Sequence, residues 1–286
     1  MSSYRAVVFD FFGTLTRSIK RGPQHADIAR KLGCDPEVIR GVLDRTFHSR
    51  ARGTFGSAEA TLRWVSEQAG GCPREAQVRA AVPARIDALK ADTQLRPDAV
   101  SALTALKDRG LSTALISDCT HELPAFLPSL PVAPLLDARV FSVEVGMCKP
   151  DPAIYLAACE QLGVDARECV YVGDGGSREL TGAAAVGMTP VRLSAPDLAD
   201  HLVFDRDTGF RGLSVPSLTD LLTLIDRSPA LISPDLETPG LRTPDLRAPD
   251  LRSPDLRSPD LRATERPRSP VRGAGRRVQG RARMAA

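Results

Sequence analysis

Ala6-Val7-Val8-Phe9 is a short apolar run that ends in a single carboxylate, Asp10, and a Gly-Thr turn, Gly13-Thr14, follows almost at once. A strand that carries an Asp to its C-terminal edge and then turns sharply sets that side chain where ligands bind in open α/β sheets. Carboxylates so placed can be covalent nucleophiles, as in enzymes that form aspartyl-phosphates. One segment thus constrains both the fold and the place where chemistry would occur.

The remainder of the chain agrees with such a sheet after one interruption. From about 17 to 92, apolar residues recur at three- and four-residue spacing: Ile28 and Leu32, then Val38, Ile39, Val42, Leu43 and Phe47, then Leu62 and Val65, then Val78, Val82, Ile86 and Leu89. No strand signal breaks the series, which predicts an all-helical insert directly after the Asp10 turn. Beyond Pro97 the pattern alternates. Helices are predicted over 98–109, 150–162, 178–186 and 217–226, and strands over 4–10, 111–116, 138–143, 169–172, 189–193 and, briefly, 202–204. Alternation of this kind predicts a doubly wound parallel sheet.

At Ser233 the text changes. Six five-residue units, three of them Ser/Thr-Pro-Asp-Leu-Arg and the other three differing at one position, run to Arg262. One Leu per unit cannot bury enough surface to offset the ordering entropy, and a Pro every fifth residue forbids a regular helix. A disordered extension over 228–286 is therefore expected. Its end is basic: residues 263–286 hold seven Arg and one Glu. That gives +6, residues 233–262 carry −1, and against the total of +3 the first 232 residues are left at −2. No nucleic-acid partner is expected for the core, whereas the Arg-rich tail allows weak contacts driven by charge alone.

Bulk composition narrows the class further. Hydrophobic content of 42% and charged content of 26% suit a soluble globular protein. The absence of a long apolar run argues against a membrane span, and no charged and apolar leader precedes the first strand, so a cytoplasmic protein is expected. The six cysteines form no CxxC or Cys/His cluster and read as reduced thiols in the core.

Three further motifs follow Asp10 in order: Leu115-Ile116-Ser117-Asp118, Met147-Cys148-Lys149-Pro150-Asp151-Pro152, and Val172-Gly173-Asp174-Gly175-Gly176-Ser177-Arg178-Glu179. Each lies at a predicted strand end or helix start. Together, over residues 4–226, they resemble the haloacid dehalogenase (HAD) superfamily. The resemblance implies a Rossmannoid core made of residues 1–16 and 93–227, with 17–92 as a C1-type helical cap of subfamily I. It implies Asp10 as nucleophile, Ser117 as a donor to the phosphoryl group, and Lys149 as the cation that neutralises both. Gly13, Thr14 and Asp118 would line the phosphate site. Magnesium is the expected cofactor, held by Asp10, the backbone carbonyl of Phe12 and Asp174. Glu179 would orient metal-bound water, although a solvated first-turn acid is an equally good reading.

These roles make physical sense without the family. Phosphoryl transfer needs positioning and charge neutralisation more than covalent help. A carboxylate and a phosphate dianion repel each other, so a cation must bridge them, and magnesium takes oxygen ligands.

Position 12 departs from the pattern. The first motif is usually D-x-D-G-T or D-x-Y-G-T, and here Phe12 stands where phosphatases have the general acid–base Asp. Such acid–base help contributes about 10²–10⁴-fold. Three readings follow: a magnesium-dependent phosphatase of a small phosphorylated metabolite, a 2-haloacid dehalogenase-like hydrolase, or a weakened phosphate-binding protein. In the first, a readily expelled leaving group or a borrowed acid would compensate, with His25 and His48 as candidates. The second is favoured by the aromatic ring at position 12 and opposed by Gly173-Asp174. Arg17, Lys20 and Arg21 at the cap entry would attract an anion or simply be solvated.

Overall fold

The computed structural model describes residues 4–199, 201 and 204–227. The expected disordered extension over 228–286 lies outside the described residues, as do Leu202 and Val203 of the predicted 202–204 strand. The strands are β1 (Ala6–Phe9), β2 (Ser112–Ser117), β3 (Ala138–Phe141), β4 (Cys169–Gly173), β5 (Thr189–Leu193) and β6 (Leu213–Val215). They form one sheet in the order β3-β2-β1-β4-β5-β6, every neighbouring pair parallel. The chain fills one side of β1 and then returns to fill the other, which puts the topological switch, and its crevice, at the carboxyl end of β1.

Eleven α-helices are described: α1 (Gln24–Lys31), α2 (Pro36–Arg45), α3 (Phe47–Ala51), α4 (Ala58–Gln68), α5 (Glu75–Asp92), α6 (Ala99–Asp108), α7 (Glu122–Phe126), α8 (Ser142–Val145), α9 (Pro152–Leu162), α10 (Glu179–Ala185) and α11 (Leu218–Arg227). Helices on both faces explain why β1 is apolar throughout. Successive strand residues point to opposite faces. Val7 and Phe9 pack with Leu103 and Leu106 of α6, Leu123 of α7 and Leu218 of α11, whereas Ala6 and Val8 pack with Ile154 and Tyr155 of α9 and Leu180 of α10. Five of the six cysteines are buried.

Helices α1, α2, α4 and α5 keep an apolar cluster of their own, built on Ile28, Leu32, Val42, Leu62, Val65 and Val78. Local signals start them: Asp35 accepts hydrogen bonds from the backbone of Glu37 and Val38 with Pro36 at the first helical position, and Ser57 caps α4. The chain enters and leaves this bundle through a narrow neck. Thr16 and Leu95 form an antiparallel bridge, and Arg17 N donates to Gln94 O at 2.8 Å while Arg96 N donates to Leu15 O at 3.0 Å. Among the described residues, no helix is long and apolar enough to cross a membrane.

The sixth strand was not visible in the sequence. It is three residues long, follows Gly212, precedes Pro216, and buries only Val215. So short an element has no periodicity to read.

Candidate active site

Three strand ends meet at one edge. Asp10 follows β1 and still extends the ladder, its N–H donating to Val172 O at 2.9 Å. Ser117 ends β2, and Asp174 follows β4. The turn after Asp10 depends on Gly13, whose φ is +83°; a Cβ there would lie 2.7 Å from His201 Nε2 and 3.2 Å from the Asp174 carboxyl carbon. Arg96, arriving from the neck, braces this turn. Its Nε donates to Thr14 O at 3.0 Å, one terminal nitrogen to Gly13 O at 2.8 Å, and the other to Asp197 at 2.8 Å.

Lys149 lies at the centre of the charges and is 4% exposed. Its Nζ donates to Asp10 Oδ1 at 2.7 Å, Glu179 Oε2 at 2.6 Å and the Tyr171 hydroxyl at 3.3 Å. Burial disfavours its charge, yet Asp10 and Glu179 outweigh burial and hold its pKa well above the ordinary lysine value. Asp118 Oδ1 accepts the Lys149 backbone N–H at 3.0 Å and so seats the loop that carries it.

Glu179 is fully buried rather than solvated. Both of its oxygens are engaged: Oε1 accepts from Gly175 N at 2.8 Å, and Oε2 accepts from Lys149 and from the Tyr171 hydroxyl at 2.9 Å. It therefore orients Lys149, while Oε1, with a single hydrogen bond, keeps a second acceptor site. Two features turn this side chain inward. Ser177 and Arg178 adopt left-handed φ values of 52° and 50°, at a cost of about 1–3 kcal/mol each. Their N–H groups are tied to Phe204 O at 2.7 Å and Asp205 O at 3.0 Å. Gly173 leaves room, since any Cβ there would collide with the Glu179 carboxylate.

Asp10, Asp174 and Glu179 each bring a carboxylate oxygen within 4.8 Å of the others. Burial pushes Asp10 up to about 6, against the charge of Lys149 and with that of Asp174. Asp174 also rises to about 6, through burial and then through Glu179. Three carboxylates beside one lysine are an oxygen donor set that a hard divalent cation fits, and its charge would oppose both upward shifts. Ser117 Oγ and Asp118 Oδ2 are buried with no hydrogen-bond partner among the described residues. A hydroxyl left in that state is set to donate to a ligand.

His201 is the group that sequence reasoning missed most completely. Its Nε2 is 3.8 Å from Asp174 Oδ2, and its Nδ1 accepts from Ile19 N at 3.4 Å. That acceptor role leaves the neutral ring's proton on Nε2, so the ring presents an N–H to the carboxylates and not a lone pair to a metal. Burial holds its pKa below the usual histidine value despite Asp174 and the Phe12 backbone. It lies on the connection between β5 and β6, which carries no motif.

Other expectations are redistributed. The Gly13 N–H donates to Thr16 Oγ1 at 3.1 Å, and Thr14 Oγ1 donates to Asp10 Oδ2 at 3.3 Å, so both shape the turn after Asp10. A cavity of about 470 Å³ is lined by Asp10, Phe12, Lys149, Asp174 and His201 together with residues of the helical insert. His25 and Arg21 line it, whereas Arg17, Lys20 and His48 are not in its wall among the described residues. His25 is 2.8 Å from Asp92, and burial lowers its pKa.

A family model described as haloacid dehalogenase-like hydrolase matches residues 4–187. The chain is 34% identical over 194 residues to a glyceraldehyde 3-phosphate phosphatase of Methanopyrus kandleri, covering 66% of this chain and 83% of the relative. It is 29% identical over 204 residues to (S)-2-haloacid dehalogenase 1 of a Pseudomonas strain, covering 68% and 86%. A match to mouse Acyl-CoA dehydrogenase family member 10 is 28% identical and spans only 18% of that longer protein. Among solved structures, a 2-haloacid dehalogenase from Pseudomonas syringae superposes with a TM-score of 0.57 at 22% identity, covering 78% of this chain and 99% of that one.

Proposed function

The chain belongs to the haloacid dehalogenase-like hydrolases, and we propose that within them it is a magnesium-dependent phosphatase of a small phosphorylated metabolite. The observation that carries this reading is the cluster of Asp10, Asp174 and Glu179, whose oxygens lie within 4.8 Å of one another around a single lysine. A halide displacement by Asp10 alone has no use for so much buried negative charge. A phosphatase does, because its cation and its lysine must together balance a carboxylate and a phosphate. The similarity to a relative named as a sugar-phosphate phosphatase points the same way. The similarity to a haloacid dehalogenase, and the aromatic ring at position 12, keep halide displacement as the second reading.

In the proposed reaction a carboxylate oxygen of Asp10 attacks phosphorus, and the bond from phosphorus to the leaving oxygen breaks. Lys149 neutralises the developing charge, and the Ser117 hydroxyl donates to a phosphoryl oxygen. Magnesium, held by Asp10, Asp174 and the Phe12 carbonyl, would screen the repulsion between nucleophile and phosphate. The leaving oxygen takes its proton from solvent, since Phe12 has none to give. Water then attacks phosphorus, the bond from phosphorus to the Asp10 oxygen breaks, and Asp10 returns as a carboxylate while inorganic phosphate leaves and the water proton passes to solvent. The helices of 17–92 serve as a cap that limits the entry of solvent.

Chelation separates the readings. Hydrolysis of small phosphate esters should stop in EDTA and return with added magnesium. Activity that survives chelation contradicts the metal assignment, and halide release from 2-chloropropionate would move the protein to the second reading.

A further inference from the structure

The helical insert faces the cavity with four arginines, Arg21, Arg40, Arg50 and Arg85, and one carboxylate, Asp44. Three of the four have acidic partners: Arg21 pairs with Asp44, Arg40 with Glu37, and Arg85 with Glu122. Arg50 has none among the described residues, although it is only 5% exposed. Its Nε donates to Thr46 Oγ1 at 3.2 Å and one terminal nitrogen to Leu43 O at 2.7 Å. Both partners are neutral and lie at the end of α2, so they fix the guanidinium without compensating its charge. The other terminal nitrogen makes no hydrogen bond among the described residues.

A buried cation without a counter-charge is unfavourable unless something supplies the anion. Burial and the like charge of Arg85 draw the Arg50 pKa down to about 10, although Glu122 and Asp44, neither of them paired to Arg50, act in the other direction. Arg50 also lies where two spaces adjoin. It lines the 470 Å³ cavity that holds Asp10 and a neighbouring cavity of about 220 Å³ with mainly apolar walls. A planar guanidinium held by two of its three nitrogens is pre-organised for an oxyanion.

We propose that Arg50 is an anion-recognising group of the cap, so that the substrate is a phosphate ester carrying a second anionic group, a carboxylate or a second phosphoryl. The proposal rests on the phosphatase reading for the end of the substrate that meets Asp10. Arg85, shared by both cavities and tied to Glu122, reinforces the field without being available as a free partner.

The test uses phosphonates, which the proposed ester hydrolysis cannot cleave. Calorimetry with the full chain and magnesium would compare propylphosphonate with 3-phosphonopropionate and with propane-1,3-diphosphonate. The anionic-tailed probes should bind roughly tenfold tighter or better, and whichever of the two binds more tightly identifies the tail group. Arg50→Gln should abolish the preference while leaving the propylphosphonate affinity unchanged within about twofold. Arg50→Lys keeps the charge and the packing stem but loses the fork; it should retain only part of the preference and remains informative if the Gln variant does not fold. Equal binding of all three probes by the wild type, or a full preference in both variants, overturns the subsite. Binding of no phosphonate to the folded protein instead overturns the phosphatase reading, and the proposal with it.

Discussion

Phe12 packs its ring edge-on against Phe11, with centroids 4.9 Å apart, and its side chain lines the same cavity as Asp10. The ring neither donates nor accepts a proton, so turnover should be limited at the steps that need one. Phe12→Asp is predicted to raise kcat on phosphate esters about tenfold or more, within the usual range of acid–base help. Steady-state kinetics on both proteins checks this, and an unchanged kcat would mean that position 12 does not limit the reaction. At this scale the sequence was informative where a residue sits in a motif. Asp10, Ser117, Lys149 and Asp174 could be named because each is bound to a strand end or a turn. Glu179 could be named but not placed, because its burial depends on two left-handed residues that spacing does not reveal. Tyr171 was hidden in an ordinary strand, and Arg96, His201 and Arg50 act through contacts formed only in the folded chain.

A neck and an ion pair are among the contacts that hold the helical insert against the sheet domain. Arg85 of α5 and Glu122 of α7 meet at 2.8 Å, with side chains 16% and 10% exposed. Burial alone would raise the Glu122 pKa, but the charge of Arg85 and the Thr120 hydroxyl overcome it and bring the value down from 4.5 to about 2. An acid with a lowered folded-state pKa stabilises fully above its unfolded value and loses that contribution as pH falls toward the folded one. The window here lies between about 4.5 and 2. Glu122→Gln should therefore cost about 3–5 kcal/mol at pH 7 by stranding Arg85. Urea midpoints measured at pH 7 and again below pH 3 should show the difference from wild type shrinking with acid; a difference independent of pH would contradict the assignment. The longer helices and five of the six strands were legible because their apolar residues repeat with periods near 3.6 and 2, whereas the five-residue α7 went unread and the strand expected over 138–143 ends at Phe141, where the four-residue α8 begins. The neck was not legible either, since an isolated bridge between Thr16 and Leu95 has no periodicity of its own.

Across the whole molecule, negative and positive charge are segregated within one cavity. Carboxylates gather at the strand ends, and arginines gather on the helical insert. This arrangement suits a substrate that is anionic at both ends and a cation bound at one. The parallel order β3-β2-β1-β4-β5-β6 explains why residues more than 100 positions apart meet, since every strand delivers its C-terminal end to the same edge. The alternation of elements made that convergence predictable, whereas the cavity charge was not, because it depends on which arginines keep a partner after folding. Covalent capture of phosphate by Asp10 is the central claim. Acid quenching during turnover of a phosphate ester with magnesium, followed by mass spectrometry of the peptide containing Asp10, tests it directly. A magnesium-dependent phosphate adduct on Asp10, absent in Asp10→Asn, is the predicted result. Steady release of phosphate with no adduct on Asp10 at any quench time would contradict it.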